Sequence, residues 1–192
     1  LFNNPFTAPA LAGIIGKGYT GTGNLDVAAL ATNDNFGWSV SLVGTALAVG
    51  AVNDSGAANA TPGVGAVYLF NNPFTAPTLA GIIGKGYTGG GNLDVSALEA
   101  NDFFGASVSL SGAQLAVGAR QDDGFGNTTG NAGAVYLFNI PFTAPALAGI
   151  IGKGYTGTGD FNVAALEAGD TFGDSVSLSG AQLAVGARQD DG

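Results

Sequence analysis

The sequence repeats itself with a period of 68 residues, and this repeat constrains the fold more than any other feature. A segment of the form LFNxPFTAP begins at Leu1, Leu69 and Leu137. An eighteen-residue segment, SVSLSGAQLAVGARQDDG, occurs without a single change at 107–124 and 175–192. Near-identical units present near-identical surfaces and can stack in one regular geometry. The repeat units are 1–68, 69–136 and 137–192, the last of them incomplete.

The third unit stops before the counterpart of residues 125–136 of the second unit, which read FGNTTGNAGAVY. This counterpart contains a predicted strand. We therefore expect the strand at 183–187 to have an open edge that packs against a following unit. A longer parent chain or a second copy arranged head to tail would supply that unit.

Each unit contains alternating patterns that predict β-strands. In the second unit, Val108 and Leu110 alternate with serines, which is the period of two expected of a strand. Residues 113–119 follow after a Ser-Gly turn and predict a hairpin, and 132–139 predict a third strand. The segment ALAGIIGKGYTG is apolar but broken by glycine, so it is open between a fourth strand, part of a hairpin and a packed loop. The segment NLDVSALEAND, before the FG element of the second unit, is open between a strand and one helical turn.

Three predicted strands and one open segment in each unit match the four-stranded blade of a β-propeller. Both faces of the predicted strands carry apolar or small residues, as expected of a sheet covered by neighbours on both sides. We therefore predict an all-β fold of tandem propeller-like blades with mainly antiparallel sheets. The blades form either a closed propeller or an open head-to-tail array.

The composition excludes several classes of function. The net charge of −9 opposes binding to nucleic acid, whose phosphates are also negative. The sequence contains no Cys and no His, which removes disulfides, thiolate zinc sites and Ser-His-Asp or Cys-His catalysis. No apolar stretch approaches the length of a membrane span. We therefore predict a protein that is not an enzyme and does not span a membrane.

The repeat resembles the FG-GAP family, including its bacterial members and the β-propeller of integrin α subunits. The resemblance rests on NDFFGASVSL, LAVGARQDDG and GAVYLF in the second unit and on their counterparts in the other two. Phe104–Gly105 supplies the FG element, and Gly118–Arg120 replaces GAP without its proline. The segment NPFTAPALAGIIGKGYTGTG lies outside the family pattern. The resemblance implies propeller blades in a secreted or surface protein, often with calcium loops and adhesive function.

One loop in each unit offers oxygen ligands of the kind that calcium prefers. The loop of the second unit, DDGFGNTTGN, carries carboxylates and amides around flexible glycines, without a regular D-x-D-x-DG spacing. The alternative is a solvated turn that uses Asp and Asn for local hydrogen bonds. The candidate calcium ligands are Asp122, Asp123, Asn127, Asn131, Asp54, Asp190 and Asp191.

Three other recurring positions have a structural interpretation beside a functional one. An Asp lies two residues before each FG element and is predicted to cap the turn into the strand, the alternative being a cation ligand. A Lys recurs in GKG and is predicted to be solvated. The alternative is that it binds an anion or pairs with an acidic neighbour in another unit. Trp38, whose counterparts are Ala and Asp, is predicted to occupy an exposed position.

We therefore expect an extracellular or cell-surface structural or adhesive repeat protein, assembled through adjacent units and capable of head-to-tail growth into a filament. The alternative is a calcium-dependent propeller module that binds a surface glycan or protein ligand. A hydrolase with its active site on loops between blades is disfavoured, because near-identical loops lack the asymmetry of an active site.

Overall fold

The computed structural model describes residues 1–139, 142 and 144–192, and its regular structure is almost entirely β-strand. A 3₁₀ turn occupies Ala57–Asn59. The strands are β1 (Phe2–Asn3), β2 (Ala10–Leu11), β3 (Ile15–Gly16), β4 (Leu25–Asp26), β5 (Phe36–Val43), β6 (Ala46–Ala51), β7 (Ala66–Asn71), β8 (Thr78–Gly84), β9 (Leu93–Asp94), β10 (Phe104–Ser111), β11 (Gln114–Ala119), β12 (Ala134–Asn139), β13 (Ala146–Gly152), β14 (Phe161–Asn162), β15 (Phe172–Ser179) and β16 (Gln182–Ala187).

Two five-stranded sheets form the centre of the molecule, and each is a run of neighbouring strands in chain order. The first contains β5 to β9 and the second contains β10 to β14. The first four strands of each sheet are antiparallel, whereas the fifth pairs in parallel with the fourth. The three motif strands predicted in each complete unit are confirmed, as is the all-β, blade-like fold class.

Each sheet has a short fifth strand beyond the four of the blade pattern, at the start of the segment NLDVSALEAND or its counterpart in the third unit, which the sequence left open between a strand and a helical turn. The glycine-broken segment that the sequence left open forms the fourth strand, β8 or β13. After β8 the chain turns through GKGYTG and returns beside the same strand. There the side chain of Asn92 accepts the N–H of Ile82 at 2.8 Å, and Ile83 pairs with Leu93. A side-chain amide and two residues of parallel ladder therefore hold the fifth strand.

Shorter sheets flank the two complete ones and use the same positions of the repeat. The strands β1 to β4 occupy the positions that β7 to β9 occupy one period later, and they form the pairs β1–β2 and β3–β4. The hairpin β15–β16 repeats β10–β11, with the same bulge after the FG phenylalanine. Its edge strand Leu183–Ala187 is half-buried to exposed, and it pairs with β15 alone.

Successive sheets stack face to face, and serine hydroxyls hold them together. Ser39 on β5 donates to the carbonyl of Gly105 in the next sheet at 2.8 Å. One period later Ser107 donates to the carbonyl of Gly173 at 2.7 Å. Sheet-to-sheet contact therefore depends on main-chain atoms that every repeat provides.

Two glycines of the repeat meet at each of these contacts. A Cβ on Gly50 would lie 2.1 Å from the carbonyl oxygen of Gly105, and one on Gly118 would lie 1.9 Å from that of Gly173. Both distances are far below any real van der Waals contact, so only glycine fits. The prediction that small residues on this face allow close approach of a neighbouring sheet is confirmed. At these two contacts the FG glycine of one repeat and the LAVGA glycine of the preceding repeat touch through their backbones.

The stacking buries two apolar cores on either side of the first complete sheet. One lies between the two five-stranded sheets and the other lies between the first sheet and β1 to β4. In each sheet the FG phenylalanine packs edge-on against the tyrosine of the third strand, Phe36 on Tyr68 and Phe104 on Tyr136. The principal members of the first core are Ala48, Val67, Leu69, Ile83, Val108, Leu110, Leu115 and Phe138. Those of the second are Val27, Leu30, Leu47, Val49, Tyr68, Phe70 and Ile82.

Among the residues that the structure describes, no helix has the length and apolar character needed to cross a membrane.

Candidate functional site

The loop between β11 and β12 contains the strongest calcium candidates, and its first aspartate points inward. Asp122 is 2% exposed, and its carboxylate accepts hydrogen bonds from two tyrosine hydroxyls and one main-chain N–H. Tyr136 donates at 2.7 Å, Tyr155 at 2.9 Å and Gly124 N–H at 2.8 Å. The carboxylate is thus held within the sheet by the third strand and by the GKGYTG turn.

The same cluster occurs one period earlier. Asp54 is 1% exposed and accepts from Tyr68 at 2.7 Å, from Tyr87 at 3.0 Å and from Gly56 N–H at 2.7 Å. Each tyrosine is 14 or 33 residues after its aspartate in both repeats. Sequence reasoning missed these tyrosines, although this constant offset was a detectable signal.

Burial is the main influence on the ionisation of the cluster. It raises the pKa of Asp122 and of Asp54 above the ordinary aspartate value, and the hydrogen bonds from the tyrosines oppose that rise. Burial also raises the pKa of Tyr136 and Tyr155, with a further rise from the neighbouring carboxylate. The tyrosines therefore remain protonated donors, as the hydrogen bonds require.

The remaining candidates of this loop lie nearer the surface. Asp123 is half-buried, and its Oδ1 accepts the N–H of Asn131 at 2.6 Å, which closes the loop across eight residues. Asn127 and Asn131 are exposed and have positive φ angles of 55° and 54°. The structure thus joins Asp123 to Asn131 but directs Asp122 into the sheet.

The counterpart in the third unit is open to solvent. Asp190 and Asp191 are exposed, and Asp190 Oδ1 accepts the N–H of Gly192 at 3.0 Å. Across residues 1–139, 142 and 144–192, no three side chains of Asp, Glu, His or Cys converge as a metal site would require. A calcium ion bound in these loops would therefore need amide and main-chain oxygens in addition to a carboxylate.

The aspartate before each FG element is a turn cap, as predicted. Its Oδ2 accepts a main-chain N–H from the residue three positions earlier, at 2.6 to 2.7 Å. Each of these carboxylates is 5% exposed. The three aspartates are Asp34, Asp102 and Asp170.

The prediction of a solvated lysine in GKG is wrong. Lys17 Nζ donates to the carbonyls of Ala28 and Leu30, both at 2.7 Å. Lys85 makes the same contacts one period later, with the carbonyls of Ser96 and Leu98. Lys153 likewise donates to the carbonyl of Ala164. The ammonium group of this lysine therefore bonds main-chain carbonyls in all three repeats. These bonds give the lysine a structural role, because they tie the GKG turn to the segment before the next FG element.

Trp38 is 52% exposed, as predicted for its position, but its counterpart Ala106 is only 7% exposed. Arg120 contacts two of the residues at this position of the repeat. Its guanidinium lies 5.5 Å from the centre of the Trp38 ring and 3.4 Å from a carboxylate oxygen of Asp174. Arg120 therefore connects three successive repeats. Asp174 also accepts from Arg188 at 3.1 Å.

The pattern of the FG-GAP repeat matches residues 29–70, 96–138 and 166–192, which together cover more than half of the chain. The chain belongs to the FG-GAP repeat family. Each match begins shortly before the FG element; the first two end within the third strand, and the third ends in the loop after the hairpin β15–β16. The FG-GAP match therefore includes the two meeting glycines, the capping aspartate and the loop that starts at Asp54 or Asp122. No curated protein matches the chain in sequence.

The capping aspartate of the second FG-GAP repeat makes the stability of the protein depend on pH. Burial raises the pKa of Asp102 from 3.8 to about 7, although a hydrogen bond from Glu99 N–H opposes the rise. The folded state therefore binds a proton that the unfolded state has lost. We expect this contribution to the free energy of unfolding to be complete below pH 3.8 and to be lost as the pH rises to about 7.

The measurement is the urea midpoint between pH 4 and pH 8. The wild-type midpoint is expected to fall as the pH rises, and Asp102→Asn, which cannot ionise, is expected to reduce that fall. An Asp102→Asn variant with the same pH profile as the wild type would contradict this assignment.

Proposed function

We propose that this protein is an extracellular or cell-surface structural or adhesive protein whose FG-GAP blades are arranged head to tail. The observation that supports this proposal is the repetition of one sheet-to-sheet contact. The serine-to-glycine hydrogen bonds at 2.8 Å and 2.7 Å join successive sheets through equivalent atoms. A contact that repeats without change suits an array in which each added blade presents the surface needed by the next.

The experiment combines labelling of intact cells with electron microscopy of the native material. Antibodies against the protein are expected to label the cell surface without permeabilisation, and the isolated material is expected to form filaments. Labelling that requires permeabilised cells would contradict the location, whereas isolated discs would favour a closed propeller that binds a ligand.

A calcium-dependent module for a surface glycan or protein ligand is the second proposal, and the loop after β11 supports it. Asp123 has one carboxylate oxygen outside its bond to Asn131, and the amides of Asn127 and Asn131 are exposed on the same loop. Oxygen ligands of this kind are those that calcium takes in proteins. The buried carboxylate of Asp122 is not a ligand in this proposal; it anchors the start of the loop to the sheet and so fixes where Asp123 lies.

We expect calcium at about millimolar concentration, the range of extracellular sites, to bind to this loop. Isothermal titration calorimetry measures uptake, and Asp123→Asn is expected to weaken it, because a carboxylate ligand becomes a neutral amide. Asp26→Asn, which replaces an exposed carboxylate in β4, is the matched control. Absence of heat in the wild type, or equal uptake by both variants, would contradict the proposal.

A further inference from the structure

One face of the first five-stranded sheet is apolar and exposed. Val40 and Leu42 on β5 are 63% and 47% exposed. They line an open groove of about 360 Å³ whose other walls include Leu1 and Ile15. One period later the same positions are buried, since Val108 is 8% and Leu110 is 5% exposed.

The buried counterparts show what this face is built to contact. In the second sheet the face is covered by the preceding sheet, where Ser41 Oγ accepts the N–H of Leu110 at 2.9 Å. Ala48 of that preceding sheet is fully buried in the same core. The occupant that fits the exposed face is therefore a hairpin with serines on its first strand and an alanine on its second.

The chain presents such a hairpin at its opposite edge. Ser175, Ser177 and Ala184 lie exposed on β15 and β16. They repeat Ser107, Ser109 and Ala116, the residues that carry this role within the chain, in the segment duplicated without change. In the following stack, Ser109 Oγ accepts the N–H of Leu178 at 2.9 Å, so the same surface has already formed this contact twice.

We propose that the β15–β16 hairpin of one copy binds the exposed β5–β6 face of a second copy and completes its first short sheet. By equivalence with the internal contacts, Ser175 donates to the carbonyl of Gly37 of the second copy, and Ser177 accepts the N–H of its Leu42. The strand β16 pairs with β1 of the second copy as β11 pairs with β12. Gln114 faces Asn139 in that internal pair, so Gln182 faces Asn3 in the joint.

The joint also brings an arginine of one copy to an aromatic side chain of the other. Within the chain, Arg120 reaches forward to Asp174 of the following repeat. The counterpart of Arg120 is Arg188, whose side chain is 62% exposed, and the counterpart of Asp174 is Trp38. The joint therefore places Arg188 beside the Trp38 ring of a second copy, which also contacts Arg120 of its own chain at 5.5 Å, so that this ring receives two guanidinium groups.

This inference rests on the head-to-tail part of the proposed function and is independent of where the protein is located. Sedimentation of the 192-residue chain is expected to show association that increases with concentration, with a change in Trp38 fluorescence. Leu42→Asp is expected to abolish both, because it places a carboxylate in an apolar contact. Leu147→Asp, which makes the same change at a side chain 43% exposed on β13 of the second sheet and outside the joint, is expected to associate as the wild type does.

Cysteine pairs test the register directly, because the chain has no cysteine of its own. A mixture of Asn3→Cys and Gln182→Cys chains is expected to give the mixed disulfide on oxidation. Gln114→Cys with Asn139→Cys in one chain is the positive control for this geometry. A mixture of Asn3→Cys with Gln114→Cys is the mismatched control.

Three results would overturn the joint: a monomer at chain concentrations up to about 1 mM, association of Leu42→Asp equal to that of Leu147→Asp, or equal cross-linking of the matched and mismatched pairs. Circular dichroism of Leu42→Asp separates loss of binding from loss of fold. If one of these results were obtained and antibodies still labelled the cell surface, the proposed location would hold while the joint would be rejected. The two proposals can therefore be rejected independently.

Discussion

Replacing Gly118 with alanine is expected to destabilise the protein by about 3 kcal/mol. The new Cβ would lie 1.9 Å from the carbonyl oxygen of Gly173 and 2.4 Å from the hydroxyl oxygen of Ser107. The first of these atoms belongs to the backbone of the next sheet and cannot rotate away. The β15–β16 hairpin must therefore shift, and the Ser107 hydrogen bond to Gly173 is lost with it. Equilibrium denaturation in urea measures the effect.

Gly130→Ala is the matched control for this substitution. Gly130 has no positive φ angle, and the nearest atom to its added Cβ is 3.9 Å away. We expect its stability to remain within about 0.5 kcal/mol of the wild type. Equal stability of the two variants would show that the close approach of the glycines does not hold the sheets together.

Replacing Asp122 with alanine is expected to cost about 3 kcal/mol or more, because it removes the acceptor of several buried donors at once. Tyr136 and Tyr155 each lose a hydrogen bond, and so does the N–H of Gly124. A cavity also remains where the carboxylate stood. Thermal denaturation and urea denaturation of the variant measure the loss.

The repeat itself provides the control, since Asp190 is the counterpart of Asp122 and occurs in the same duplicated sequence. Asp190 is exposed and accepts from the N–H of Gly192 alone. Asp190→Ala is expected to change the stability by less than about 1 kcal/mol. Comparable losses in the two variants would contradict the structural role of the buried cluster.

The strands of the FG-GAP pattern could be predicted from the sequence because side-chain alternation reports directly on a pleated backbone. Val108 and Leu110 against their neighbouring serines define β10, and both faces of the strand proved to be covered. The cap by Asp102 could also be predicted, since an aspartate before a strand finds its hydrogen-bonding partner among main-chain groups a few residues away. These predictions depend on contacts within a few residues.

The features that escaped prediction depend on contacts between distant residues. The fifth strand is only two residues long and is held by the side chain of Asn92, so it has no periodicity of its own and the sequence could not separate a strand from a helical turn there. The partners of Asp122 come from two other elements, and its own sequence neighbours resemble a solvated calcium loop. Lys85 was assigned to solvent because its carbonyl acceptors, at Ser96 and Leu98, carry no side-chain signal.

The contact between sheets has a consequence for how such a protein changes over generations. Its essential atoms are two glycine backbones and a serine hydroxyl, and these return in every period at the same place. Unequal recombination between two copies of the repeat would remove or add 68 residues and would rejoin equivalent positions, wherever the exchange occurred within the period. Each surviving sheet would still meet a neighbour that fits. The length of the array can therefore change in whole blades while the fold of every blade, and the stacking between blades, stays the same.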